Sequence, residues 1–541
     1  MRLLLPLLAL LTGWTAGDHH GDPAAAQGTV FHDRDGDGRK DAGEPGLPGV
    51  RVSNGREVVE TGADGRWCLP VDGPTELFVL KPRGWMVPLA ENGTPQHYYL
   101  HRPEGSPRSR FPGVAPTGPL PGSIDFPLAP QEEPEVFRAL FFGDTQPRDR
   151  AEIEFMDQDV VDECLGFDGE FGVVLGDLVF DGLGLFGPLT ESLSRIGVPW
   201  WMVLGNHDQN TDAASDQWAN ETFNRNFGPA SYAFDWGPAH FLVLDNVEWF
   251  REEEGGRSVG KYRGRLSERA LEFARNDLAG VPDEAMVVVL MHIPLTGVSN
   301  RARLFRLLEP FPRAVSVAAH SHTMRVEDLA EQHGWRGAAP HTHVVNVTAC
   351  GSWWSGEPDA RGVPHATMSD GAPNGWTEWT FSADDWSFVF RAAGEPPDKQ
   401  MSIHAGAAAA GGRLELTVNV WGGGPRTRVE ARWLDPEPAG ADWTALARTA
   451  AADPAYAAMR EAERAGRGSR WREMPEPSRS AHLWRGGLEL PAESSGTASF
   501  QIRVTDRWDR EWLETRSVAV LPPPGAEPLV PPAALGPGQD G

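Results

Sequence analysis

Five short apolar runs, each stopping at a side chain that binds metals, constrain this chain more than any other feature of it. Residues 139–142 run into Gly143-Asp144-Thr145-Gln146, 171–175 into Gly176-Asp177, and 200–204 into Gly205-Asn206-His207-Asp208. Later, 285–291 stops at His292 and 314–319 stops at His320-Ser321-His322. Val, Phe, Trp and Leu fill these runs, the composition of strands buried on both faces. In an open α/β sheet the carboxyl ends of neighbouring strands converge on one crevice, so ligands far apart in sequence can meet there. Asp, Asp, Asn, His and His-x-His delivered to one crevice read as a site for two metal ions.

Between the runs the pattern alternates. Residues 149–165 and 267–278 carry apolar side chains at helical spacing, and 240–244 adds another strand-like run. We read 131–395 as an α/β layer holding the site. After it, 414–421, 428–434 and 499–505 alternate polar and apolar residues as strands do, with an Ala/Arg/Glu helical stretch at 450–465. That makes 396–521 a β-rich domain, and the Pro- and Gly-rich 522–541 a disordered tail. Residues 102–134, crowded with Pro, Gly and Ser, read as a linker or irregular loop, with a domain boundary near 130.

The N-terminus has Arg2, an almost unbroken apolar stretch over 3–11, and small residues around Ala16 and Ala24 to Ala26. This is the pattern of a secretory signal peptide over 1–26, too short to span a bilayer, and it implies a secreted or periplasmic protein. No later run of about 20 apolar residues follows, so no transmembrane segment is expected. The net charge of −27 comes without a Lys/Arg-rich cluster. Nucleic acid is therefore not expected as the main partner, since that affinity comes from neutralising phosphates. An acidic protein that handles an anion must borrow positive charge, and bound metal supplies it. Cys68, Cys164 and Cys350 are the only cysteines, so at most one disulfide can form and the fold rests on packing.

A second cation motif lies in the first folded segment, 27–130. Counting from Asp33, oxygen-bearing side chains fall at positions 1, 3, 5, 9 and 12 (Asp33, Asp35, Asp37, Asp41, Glu44), with Gly38 at position 6. These are the offsets of a twelve-residue calcium loop, in which Arg39 offers its backbone carbonyl and Glu44 both carboxylate oxygens. An acidic turn that binds nothing is the competing reading. Val30-Phe31 and Val50-Arg51-Val52 flank the loop as strands, not helices, as do residues 66–69 and 77–80 further on. The segment resembles the small β-sandwich repeats of bacterial surface proteins, whose calcium loop lies between strands, and the resemblance implies one structural calcium.

Gly-Asp, Gly-Asn-His-Asp and His-x-His, in that order, resemble the calcineurin-like metallophosphoesterases over roughly 136–393. The resemblance implies a two-sheet α/β sandwich with a dinuclear centre of Mn, Fe or Zn. Asp144, Gln146, Asp177 and His322 would hold one ion, and Asp177, Asn206, His292 and His320 the other, with Asp177 shared. A shared carboxylate offsets the repulsion between two divalent ions, and the pair generates hydroxide at neutral pH and clamps phosphate oxygens. His207 would stabilise the transition state or protonate the departing alkoxide, and Asp208 or Asp181 would orient its ring. Gln146 stands where many members carry His, which substitutes an amide oxygen for an imidazole, and Ala319 replaces a common Gly.

In the family the region after His-x-His can wall the active site. Trp353, Trp354 and His365 would then contact the leaving group, beside Asn206; core packing is the competing and favoured reading for the tryptophans. Residues 401–404 and 504–507 resemble a C-terminal module that some bacterial members append. The expectation is a phosphoester hydrolase using metal-generated hydroxide outside the cytoplasm, with the choice of mono- or diester and the oligomeric state left open. The alternatives are an inactive hydrolase fold serving as a secreted binding or adhesion protein, and a phosphoprotein phosphatase.

Overall fold

The computed structural model describes residues 24–255, 257–435, 442–467, 470–491 and 494–521, so residues 1–23 of the expected leader and the tail at 522–541 lie outside the described residues. Two sheets face each other at the centre of the molecule. One contains, in order, Trp200–Met202, Phe171–Val174, Phe137–Phe142, Gly375–Phe381 and Trp386–Ala392. Its first three strands are parallel, in the register Phe171 to Ala139 and Gly172 to Trp200. The other runs Tyr232–Trp236, Ala239–Val243, Met286–Leu290, Val315–Ala318, His341–Val345 and Arg325–Leu329. Its four inner strands are parallel and its edges antiparallel.

Aromatic rings fill the space between the sheets. Phe234 lies on Phe241 at 4.7 Å, Phe171 meets Trp236 at 4.9 Å, and Phe141 stacks on Trp379 at 5.1 Å. Helices cover the outer faces. Arg150–Met156 and Phe186–Ser194 pack their Met156, Leu189 and Leu193 against Leu140, Phe142 and Trp200 of the first sheet. Glu268–Leu278 and Arg301–Leu308 cover the second with Leu271, Phe273, Leu304 and Leu308. Ser267 caps the third of these helices by accepting from the amide of Ala270, as a serine before an apolar-periodic run should. With both faces covered, a strand such as Met286–Leu290 can be wholly apolar, and all five of its residues are buried.

Several expectations change. Ala24–His32 is a strand paired with Arg66–Val71, Ala24 opposite Val71, so Ala24 to Ala26 belong to the folded body and not to a leader ending at 26. The expected linker at 102–134 contains Phe126–Pro130, which returns to pair in parallel with residues 30–32 of that strand. The rest of that segment is docked on the central domain, where Arg102 makes a buried ion pair with Glu221 at 2.8 Å and Ser109 and Arg110 bond Asp212. The helix expected over 149–165 is α-helical only to Met156, then opens into a wider turn over Asp157–Val161. There Asp159 turns inward to Asn374 at 2.7 Å and Arg361 at 2.8 Å. The hairpin of Val247–Glu254 with Arg257–Gly264 was not expected, because its exposed, acidic outer half lacks alternation. Nor was the pair Gly375–Phe381 and Trp386–Ala392, which extends the first sheet. All three cysteines are free.

The N-terminal β-sandwich, two four-stranded sheets, seats on the edge of the second central sheet through paired buried charges. Arg51 bonds Asp277 at 2.7 Å and Asp235 at 3.3 Å, while His240 sits between the same carboxylates at 2.8 and 2.7 Å. Lys81, wholly buried, bonds Glu133 at 2.6 Å and the carbonyl of Asp235 at 2.8 Å. Buried charges are tolerated only with such partners, and removing one leaves the other uncompensated. The C-terminal module stacks a four- and a five-stranded sheet over Leu416, Val418, Trp433, Trp484, Phe500 and Ile502. Its helix is Pro454–Arg467, started by Asp453, whose carboxylate accepts from the amides of Ala455 and Tyr456, while Ala447–Ala451, expected partly helical, is a strand. Among the described residues no helix is long and apolar enough to cross a membrane.

Burial alone would pull the His240 pKa down, but the charges of Asp277 and Asp235 outweigh it and raise it from 6.5 to about 9. A raised histidine pKa stabilises the fold fully below pH 6.5, and that contribution is lost as pH rises through about 9. The melting temperature of the wild type should therefore exceed that of His240→Gln at pH 6. The difference should shrink steadily toward pH 9, as read by scanning calorimetry on both proteins.

Candidate metal centre

The expected ligands sit on the loops that follow five central strands. Asp144 follows Phe137–Phe142, Asp177 follows Phe171–Val174, and Asn206 follows Trp200–Met202. His292 follows Met286–Leu290, and His320 and His322 follow Val315–Ala318. The backbone there is unusual. Asp144, Gln146, Asp177, His320 and His322 all have positive φ, between 25° and 67°. Non-glycine residues adopt that region at a cost and chiefly where the surroundings force them to, often at functional sites. Gly205 is needed for a different reason: a Cβ there would lie 2.0 Å from the Asp177 nitrogen and 2.3 Å from its Oδ1. Ala319, in place of a glycine, is fully buried.

The side chains converge. His292 Nε2 lies 3.2 Å from Asp177 Oδ1, 3.1 Å from Asn206 Oδ1 and 3.1 Å from His320 Nδ1. His322 Nε2 is 3.0 Å from Asp144 Oδ2, yet that buried oxygen takes no hydrogen bond. Asp177, His292 and His320 each aim one donor atom at a common volume. A coordination shell with bonds of about 2.1 Å spaces neighbouring donors roughly 3 Å apart. The spacing and the lone-pair chemistry of this set therefore fit divalent metal. Asp177 offers its two oxygens to different neighbours, Oδ1 toward His292 and Oδ2 toward the Gln146 amide nitrogen at 2.9 Å. The Gln146 oxygen points to the buried Cys350 Sγ, 3.8 Å away. Backbone carbonyls orient the rings: His292 Nδ1 donates to Leu175 O at 2.9 Å, and His322 Nδ1 to Gly351 O.

The electrostatics follow from this crowding. Burial would raise the Asp177 pKa, but His292 beside it holds the carboxyl below the usual range. Burial works against protonated His292 too, and the charges of Asp177 and Asp144 overcome it, lifting its pKa to about 9. His320 goes the other way, to about 4, through burial and repulsion from His292. The two imidazoles, in contact at 4.8 Å between ring centres, are thus driven in opposite directions.

His207 lies beside this set. Its backbone amide donates to Asp177 Oδ1 at 2.8 Å, its Nδ1 pairs with Asp181 Oδ1 at 2.8 Å, and its ring stacks on Phe180 at 4.4 Å. Asp181, not Asp208, thus orients it. The Asp208 carboxylate is fully buried and accepts from the amides of Gly205, Leu178 and Val179, which ties two ligand loops together. Of the candidate leaving-group contacts, Trp354 follows the favoured core-packing reading and His365 is tied up elsewhere. Trp354 is packed in the core against Phe155, and His365 bonds Glu463 at 2.7 Å and Thr367 at 2.8 Å, so neither ring meets the cluster. Trp353 does, stacking on His322 at 4.0 Å. Sequence reasoning missed Phe180, Arg148 and Tyr262. Tyr262 approaches the His320 ring edge-on at 5.8 Å from the unexpected hairpin. Arg148 lies over the Phe180 ring at 4.5 Å, and only its position two residues after Gln146 could have drawn notice.

The first folded segment brings the calcium motif together as well. Asp33, Asp35 and Asp37 each aim an oxygen at one point, and Glu44 bonds the amides of Arg34 and Asp41 across the loop. Gly36 and Gly38 amides bond Asp33, and the Arg39 amide bonds Asp37.

Three family models match successive stretches of the chain. Calcineurin-like phosphoesterase matches 137–324, N terminal of calcineurin-like phosphoesterase 34–112, and C terminal of calcineurin-like phosphoesterase 341–512. The last begins inside the central sheets, since His341–Val345, Gly375–Phe381 and Trp386–Ala392 are strands of them. No curated protein sequence matches. The solved purple acid phosphatase PPD1 from yellow lupin (Lupinus luteus) seeds aligns with 74% of this chain and 71% of its own at 14% identity, with a TM-score of 0.32, too slight a likeness to argue from. With its N-terminal, catalytic and C-terminal parts all matched, the chain belongs to the calcineurin-like phosphoesterases and is a metal-dependent phosphoesterase.

Proposed function

We propose that the protein hydrolyses phosphate esters at a two-ion centre held by Asp144, Gln146, Asp177 and His322 on one side and Asp177, Asn206, His292 and His320 on the other. The observation that carries this is the convergence of donor atoms from five strand ends: His292 Nε2 lies 3.1–3.2 Å from donor atoms of Asp177, Asn206 and His320, and His322 Nε2 lies 3.0 Å from Asp144 Oδ2. When bound, a pair of divalent ions lowers the pKa of water and draws charge from phosphate oxygens. The protein's part is to hold and aim. Asp177, with its oxygens turned to different neighbours, suits the shared position, and Gln146 reaches the centre by rotating its amide oxygen inward. His207, fixed through Nδ1 by Asp181, keeps Nε2 available to give a proton to the departing oxygen.

Purified protein should carry about two equivalents of Mn, Fe or Zn, measured by plasma mass spectrometry, and should hydrolyse aryl mono- or diesters. A chain with no metal and no activity after Mn²⁺, Fe²⁺ or Zn²⁺ addition would instead support the binding-protein role. His207→Ala should keep its metal while kcat falls roughly 10²- to 10⁴-fold. Asp181→Asn should lose more on alkyl than on nitrophenyl esters, because only the poorer leaving group needs the proton. Equal losses on both would remove the proton-donor role.

We further infer that the loop Asp33 to Glu44 binds one calcium ion that stiffens the N-terminal sandwich, and that the protein works outside the cytoplasm, where millimolar calcium keeps even a weak site filled. A leader peptidase would have to cut before Ala24 to leave the first strand whole. Asp35→Ala should lower the melting temperature of the protein in calcium and leave turnover nearly unchanged; equal melting of both proteins would discard the site.

A further inference from the structure

Two arginines from different parts of the chain meet at the wall of the metal centre. Arg148, two residues past Gln146, and Arg472, in the C-terminal module, both donate through Nη1 to the carbonyl of Trp353, at 3.0 and 2.9 Å. Both also reach Glu152 Oε1, at 3.1 and 3.3 Å. One carboxylate thus serves two guanidinium groups, in a chain whose net charge is −27. Among the described residues, Nε and Nη2 of each have no hydrogen-bond partner, and both side chains are part exposed, at 24% and 45%. The pair is tied to the site on two sides. Both bond the carbonyl of Trp353, whose ring stacks on His322, and Arg148 covers Phe180, which also stacks on His207. On the reading that His207 faces the leaving group, the two guanidinium groups lie on that group's side of the site.

Resting on the two-ion reading above, we propose that Arg148 and Arg472 form a cation clamp for a second anionic group on the leaving-group side, so that the enzyme selects phosphoesters whose alcohol carries a carboxylate or another phosphate. Guanidinium is suited to this because its planar fork pairs with carboxylate and phosphate oxygens alike. The clamp also gives the C-terminal module a direct share in the substrate site. Its Arg472 is held there by its own backbone carbonyl, which accepts from the Gly356 amide at 3.0 Å. A bond between His365 and Glu463 fastens the same wall to the helix Pro454–Arg467.

The test compares three alkyl esters with matched leaving oxygens: hexyl phosphate, the phosphate ester of 6-hydroxyhexanoate, and hexane-1,6-diol bisphosphate. Phosphate release by the full-length, metal-loaded protein should give kcat/KM about tenfold or more higher for at least one tailed ester than for hexyl phosphate, mainly through KM. Which tail wins separates carboxylate from phosphate recognition. In Arg472→Gln the ratio should fall toward one, and Arg472→Lys should recover part of it. A purely structural latch would change all three esters alike. Activity on aryl phosphates with no preference among the alkyl esters overturns the clamp and leaves the two-ion reading standing; inactivity on aryl and alkyl esters alike overturns both.

Discussion

The arrangement depends on one electrostatic conflict: carboxylates, an amide oxygen and imidazole nitrogens are buried at a point where they have too few protons to satisfy one another. His292 Nε2 stands about 3 Å from Asp177, Asn206 and His320, of which only His320 is part exposed, and Asp144 keeps an oxygen without a hydrogen bond. Burying polar atoms unpaired is expensive, and burying like charges more so. Such a cluster persists only if the scaffold over-determines it and a cation completes it. The positive φ values at five of the ligands are the backbone's share of the same cost, and the aromatic layer between the sheets supplies the packing that offsets it.

The flanking parts then read as supports for a strained centre. The N-terminal sandwich and the segment after it grip the central domain through Arg51, Lys81 and Arg102, each paired with buried carboxylates. The C-terminal module reaches the opposite side. His482 bonds Asp370, and Asp370 in turn accepts from the amide of Met324, two residues beyond His322. Arg472 and Glu463 hold the loop that presents Trp353 to His322. The C-terminal family match starting at 341 agrees with this, because the segment it covers builds part of both central sheets before it forms its own.

What could be read from the chain alone was whatever a short window encodes. Runs of β-branched and aromatic residues marked six of the eleven central strands to within a residue or two, and the order of Gly-Asp, Gly-Asn-His-Asp and His-x-His named the side chains that gather. Side chains whose roles depend on distant partners were illegible. Asp208 follows His207, yet the turn that starts at Asn206 aims its carboxylate at the amides of Leu178 and Val179, and Asp181 takes the ring. Trp353 and Trp354 are neighbours with nearly equal φ, 56° and 51°, but successive residues project differently, so one meets His322 and the other the core. The hairpin that brings Tyr262 to His320 is polar and exposed along much of its length, and hydrophobic periodicity is silent for such a segment.

The sequence by itself therefore determined the ingredients: an α/β core, the set of candidate metal-binding side chains and their order, and an oxygen-rich loop at 33–44. Covalent spacing and local hydrophobic pattern are properties of short segments and survive in one dimension. Only the tertiary structure decided which imidazoles and carboxylates stand in contact, which carboxylate orients His207, and that an arginine more than 300 residues away stands beside Arg148. Those are matters of a few ångströms between segments that have no sequence relation, and electrostatic interaction energies depend on that distance and on burial, neither of which exists until the chain has folded.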